Sequence, residues 1–117
     1  MGNYDLHMLI TRAAIICEGV WLHNGNGEVE QWEKENKIFS ICFGGITFVP
    51  KYCVDKRGVP VAEIATIMAM FEGRKDAWGL ALWFASHNDY LGGDRPQDLL
   101  RIDPEWVLSA VRHELSE

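Results

Sequence analysis

The sequence predicts an α+β fold, mainly helical, with helices and one β-hairpin in an N-terminal lobe and a helical bundle in the C-terminal half. Three observations predict it. A Gly44-Gly45 pair separates two runs of β-branched and aromatic residues, apolar residues recur at helical spacing on both sides of that pair, and Asp103-Pro104-Glu105 has the chemistry of a helix start. The lobes divide at residues 1–58 and 59–117. A chain of 117 residues, 48% of them hydrophobic, suits one domain or two small lobes sharing a core. Folding a chain of this size buries about two-thirds of its surface.

Leu6, Leu9, Ile10, Ala13, Ala14 and Cys17 fall on one face of a first helix, which Gly19 ends; Thr11 offers a later start. His23-Asn-Gly-Asn-Gly27 is a loop. Glu28–Glu35 follows as a short helix with Val29 and Trp32 inward. Lys37–Tyr52 reads as the hairpin, because paired glycines supply the positive φ angles of a tight two-residue turn. Pro50 has no N–H for the ladder, so the second strand ends there or lies at an edge. Asp55–Gly58 is a turn.

Beyond Pro60, the spacing of Val61, Ile64, Ile67, Met68 and Phe71 predicts a helix that stops at Gly73. Asp76–Ala85 carries two apolar stripes, one of Trp78, Ala81, Leu82 and Ala85, the other of Leu80, Trp83 and Phe84. A helix apolar on two sides is expected at the centre of the fold. Asn88–Pro96 is an irregular connector, and Gln97–Ile102 one helical turn. In the last helix Asp103 caps, Pro104 takes a first-turn position that needs no donor, and Glu105 meets the positive end of the helix dipole. Leu108, Val111 and Leu115 are expected to face inward.

Gly92 and Gly93 permit backbone angles closed to other residues, Pro96 fixes the start of a short helix, Asp94 is placed to cap it, and Arg95 to bind the carbonyls ending the helix before. By itself this is a structural corner between helices. The whole stretch from Phe84 to Leu100, with Leu91-Gly-Gly-Asp-Arg-Pro-Gln-Asp-Leu-Leu100 and then Asp103-Pro-Glu-Trp-Val107, resembles the toxin-binding domain of the MbcA/ParS/Xre antitoxin family. Phe48-Val-Pro-Lys-Tyr-Cys-Val-Asp55 with Gly58 and Pro60 looks like the hairpin exit that precedes this domain in longer members, so the likeness spans about residues 46–115. The resemblance implies a toxin-binding-like bundle that sterically neutralises a cognate toxin, typically a RES-type enzyme that consumes NAD or transfers ADP-ribose. It places Leu91, Gly92, Gly93, Arg95, Pro96, Trp106, Arg112, His113 and Glu114 at the partner surface, with Trp106–Glu117 nearest the toxin. It also implies a homodimer.

The N-terminal layout of helix, loop, helix and hairpin is winged-helix-like, which makes a winged-helix DNA-binding transcriptional regulator or phage accessory protein the alternative function. Its would-be recognition helix holds Glu28, Glu30, Glu33 and Glu35 against Lys34, which repels phosphate, and only Gln31 suits a base edge. Lys51, Lys56 and Arg57 are the nucleic-acid candidates on this lobe.

The net charge of −6 divides into −1 over residues 1–58 and −5 over residues 59–117. The acidic half is a poor surface for nucleic acid and a suitable one for a basic protein. Met1–Asp5 lacks the basic and apolar regions of a signal peptide, Gly2 lacks the downstream Ser or Thr of a myristoylation signal, and no apolar run is long enough to span a membrane. Cys17, Cys42 and Cys53 are odd in number and lack CxxC spacing, so free thiols in the cytoplasm are expected. No nucleotide-loop, zinc-protease or serine-hydrolase motif occurs. His87-Asn88-Asp89 reads as a helix stop rather than acid–base machinery. Cys42, Cys53, His7 and His23 have no metal-ligand spacing. The chain is therefore expected to bind and not to catalyse, with no catalytic residue, metal or cofactor. Trp78 and Trp83 are assigned to the core, Trp21 and Trp106 to an interface.

Overall fold

A computed structural model of the chain describes residues 12–16, 21–23 and 27–116. The fold is α+β and mainly helical. Residues 12–16 are helical. Leu6, His7, Leu9, Ile10, Thr11, Cys17 and Gly19, which define the rest of the expected first helix and its surroundings, lie outside the described residues.

Three antiparallel strands form one sheet: β1 (Trp21–His23), β2 (Ile41–Phe43) and β3 (Ile46–Pro50), in the order β1-β3-β2. Gly44 and Gly45 make the turn between β2 and β3 with φ of 62° and 79°, as a hairpin turn of this length requires. The ladder is shorter than the expected Lys37–Tyr52 hairpin: Ile38 and Phe39 are buried in the core and lie outside the strands. Pro50 ends β3, after which Lys51–Cys53 forms a single 3-10 turn. Strand β1 is not foreseen in the sequence; three residues beside a loop are too few for an alternating pattern.

Between β1 and β2 lies α1 (Gly27–Lys34), with Val29 and Trp32 packed against the core. Beyond the sheet, the turn at Asp55 is tied by its carboxylate, which accepts from the backbone N–H of Arg57 (2.8 Å) and of Val59 (3.1 Å). These bonds and the Arg57 guanidinium hold its pKa below the ordinary aspartate range.

Four further helices follow: α2 (Ala62–Met70), α3 (Ala77–Ala85), α4 (Pro96–Leu99) and α5 (Pro104–Leu115), with a 3-10 turn at Asp89–Leu91. Asp76 caps α3 by accepting from Gly79 N at 2.8 Å, and Asp103 caps α5 by accepting from Trp106 N at 3.2 Å. Helix α3 buries Leu80, Ala81, Trp83 and Phe84. Its second stripe is only partly covered: Leu82 is exposed, and Trp78 is half-buried between the edge of Phe43 and the Arg12 guanidinium.

One hydrophobic core unites both stretches of chain. Ile38, Phe39, Ile41, Val49, Tyr52 and Cys53 pack with Ile64, Ile67, Phe71, Leu80, Phe84, Leu91, Leu100, Val107 and Val111. The ring of Phe84 lies 4.7 Å from Tyr52, 5.1 Å from Trp83 and 6.2 Å from Phe39, centroid to centroid. Arg101, in the loop between α4 and α5, donates to the carbonyls of Lys51 (3.3 Å) and Val54. No helix among the described residues is long and apolar enough to cross a membrane.

Two core groups make direct predictions. The buried Tyr52 hydroxyl has no hydrogen-bond partner among the described residues. An unsatisfied buried polar group costs on the order of 1–3 kcal/mol. Tyr52→Phe is therefore expected to raise stability by about 1 kcal/mol in urea unfolding; a loss of that size would mean the hydroxyl is satisfied. Burial pushes the Cys53 thiol up to about 12, so it carries almost no thiolate near neutrality. Cys42 is exposed. Alkylation of the folded chain, mapped by peptide mass, is expected to mark Cys42 and spare Cys53 until denaturant is added.

Candidate functional site

Helix α3 runs out at Ser86, whose hydroxyl donates back to Leu82 O at 2.6 Å. Asn88 then starts the 3-10 turn, its side chain accepting from Tyr90 N at 3.0 Å. Gly92 and Gly93, with φ of 70° and 93°, reverse the chain, and Gly93 N closes the loop on Asn88 O at 2.9 Å. His87 Nδ1 lies 2.8 Å from Gly93 O. A carbonyl only accepts, so this nitrogen carries the proton and Nε2 is left as an acceptor in the neutral ring. The trio His87-Asn88-Asp89 thus stops one helix and caps the next turn.

Helix α5 packs over this corner with Val107, Ala110 and Val111 buried. Its outer side shows Glu105, Trp106, Arg112 and His113, all exposed. His113 stacks on Tyr90 with centroids 4.7 Å apart and planes 22° from parallel. Trp106 lies over Gly92, where an added Cβ would come within 3.9 Å of its ring. Between α3, the 3-10 turn and α5 opens a cleft of about 550 Å³ walled by Leu82, Trp83, His87, Asn88, Asp89, Tyr90, His113 and Glu114. At one end of it, Glu114 accepts from Trp83 Nε1 at 2.8 Å and pairs with Lys75 Nζ at 2.8 Å.

Large apolar side chains are left in solvent along α3, the 3-10 turn and the approach to and start of α5: Leu82 (45% exposed), Tyr90 (42%), Ile102 (77%) and Trp106 (38%). Only Trp106 among these four is a sequence-derived candidate. Tyr90 sits in a polar connector, where an aromatic residue without a helical partner was the available signal. Leu82 was hidden by its place on an apolar helix.

Several expected partner contacts are corrected. Leu91 and Pro96 are buried, so they shape the corner and do not face a partner. Asp94 does not cap α4; its carbonyl accepts from Asn88 N at 3.0 Å, and Arg95 occupies the cap position without a side-chain cap bond. The Arg95 guanidinium reaches the Asp98 carboxylate at 2.8 and 3.2 Å. Glu114 is drawn onto Trp83 and Lys75. Gly92, Gly93, Arg112 and His113 are exposed, with Arg112 donating to Ser109 Oγ at 3.2 Å.

Elsewhere, Trp21 serves the fold: its Nε1 donates to Ile15 O at 3.2 Å and its ring meets the edge of Phe48. Cys42 and Cys53 do not converge, and no group of three or more His, Cys, Asp or Glu suited to a metal ion occurs among the described residues. Lys51, Lys56 and Arg57 are all exposed. Comparison with protein-family models, curated proteins and solved structures finds no match.

The Glu114 network is testable. Removing a charged partner from a half-exposed network of this kind costs about 1 kcal/mol. Glu114→Ala is expected to lower stability by about that much in urea unfolding, and Glu114→Gln by less, because an amide oxygen still accepts from Trp83. Equal losses for the two variants would count against the bond to the indole.

Proposed function

We propose that the chain is an antitoxin-like protein that binds and sterically neutralises a cognate toxin, an NAD-consuming or ADP-ribosylating enzyme of RES type. Residues 59–117 act as the toxin-binding-like bundle, and α1 with the hairpin form a winged-helix-like lobe beside it. The observation that carries this reading is the exposure of Leu82, Tyr90, Ile102 and Trp106. Aromatic side chains set in a rim of polar groups are the usual anchors of protein interfaces. The acidic balance of residues 59–117 favours a partner of opposite charge.

The reading is consistent with the resemblance of the Leu91–Leu100 corner to the antitoxin domain, and it moves the emphasis within that corner. The anchors are Trp106 and Tyr90, the exposed polar contacts Arg112 and His113, while Leu91 and Pro96 set the shape.

Deleting residues 104–117 would remove Val107, Ala110 and Val111 from the core, so the contact is tested by side-chain replacement. The native chain is expected to rescue cells from growth arrest by the product of its neighbouring gene and to co-purify with it. Trp106→Ala and Tyr90→Ala are each expected to weaken that complex by roughly 30-fold, the effect of an interface hot spot worth about 2 kcal/mol. Unchanged thermal unfolding with lost rescue supports the proposal; rescue by both variants at native strength overturns it.

A further inference from the structure

Arg101 is separated from Lys51 by 50 residues, yet its guanidinium is hydrogen-bonded to the carbonyls of Lys51 and Val54. The same 3-10 turn leads directly into the turn that bears Lys56 and Arg57. Four cations, Lys51, Lys56, Arg57 and Arg101, are thereby brought onto neighbouring stretches of chain, and all four are exposed. Two carboxylates accompany them, Asp55 and Asp103. Both are engaged locally, Asp55 by two backbone N–H groups and Arg57, Asp103 as the cap of α5. The six groups leave a net charge of +2 in a chain whose total is −6.

We propose that these cations form a phosphate-contacting surface for duplex DNA, distinct from α1. Phosphate contact needs cations on an accessible backbone and is indifferent to apolar neighbours such as the exposed Val59 and Ile102, which follow these cations in the chain. The segment offers that: its one aromatic residue, Tyr52, is buried, so it presents no aromatic hot spot to a protein. Helix α1 is the wrong element for the task, with Glu28 and Glu30 at the end where a helix best meets phosphate. The surface needs none of Leu82, Tyr90, Ile102 and Trp106, so it does not depend on the antitoxin reading. Contacts to phosphate alone position a protein without reading sequence, so the binding is weak and sequence-tolerant.

The test is fluorescence anisotropy of the full chain with a short labelled duplex across a salt series. With three phosphates neutralised, affinity is expected to fall roughly 40-fold between about 50 and 200 mM salt. Replacing Lys51, Lys56 and Arg57 together by Gln is expected to abolish most of that salt dependence, with circular dichroism unchanged. Lys34→Gln on α1 is expected to leave it intact. Absence of binding at the lowest salt, or a native salt dependence in the triple variant, overturns the proposal. Loss on Lys34→Gln alone assigns the contact to α1 and also overturns it, as does equal affinity for poly-glutamate.

Discussion

The packing of Phe84 against Tyr52, Phe39 and Trp83 fixes how the hairpin exit meets the helical corner, and the remaining geometry follows from it. Phe39 and Tyr52 flank the sheet in sequence, whereas Phe84 and Trp83 belong to α3. Burying side chains of this size contributes on the order of 1.5–3 kcal/mol each. Residues 1–58 and 59–117 therefore stabilise each other across a common interior. Ile38 and Phe39 join that interior from outside the ladder, ahead of the three-residue β2.

A core held in this way leaves α5 with one committed side and one free side. Val107, Ala110 and Val111 fill the interior, while Asp103 and Pro104 set where the helix begins. The two glycines before α4 let the chain reverse tightly enough for Trp106 to lie over Gly92. Glu114 pins the far end of the helix to Trp83 and Lys75. Fixed at both ends, α5 presents Trp106 and the Tyr90–His113 stack in a set arrangement, so under the proposed function little conformational entropy would remain to be lost on docking.

Local chemistry was legible in the sequence where the reason for a residue type is itself local. The Gly44-Gly45 turn, the caps at Asp76 and Asp103, Pro50 as a strand end and the inward face of α2 all follow from backbone angles, missing donors or helical spacing. What the sequence concealed depends on neighbours from elsewhere in the chain. Strand β1 exists because β3 offers it a free edge; its own three residues carry no pattern. Glu114 reads as a surface carboxylate until Trp83, distant in sequence, is seen to donate to it. Asp94 has the composition of a cap, but the hydrogen bond from Asn88 to its carbonyl belongs to the loop before α4. Leu82 lies on a helix so apolar that periodicity cannot tell its covered sides from its open one.

Arg101 shows how one long-range contact changes the meaning of distant residues. Alone, Lys51, Lys56 and Arg57 are three cations on a lobe whose charges nearly cancel. With Arg101 bonded to the carbonyls of Lys51 and Val54, they join a fourth cation in a molecule of net charge −6. The next residue, Ile102, is one of the exposed apolar side chains. The cations and the exposed apolar side chains therefore meet at the loop between α4 and α5. A basic partner seated on those side chains would bring its own cations toward Arg101, where like charges repel at separations of a few ångströms and salt screens them only beyond about 10 Å. Such a partner would be best accommodated with its positive surface turned toward the exposed Asp89 and away from Arg101. Under the proposed function, the charge pattern would bias the orientation of a bound protein, while the aromatic side chains would supply its affinity.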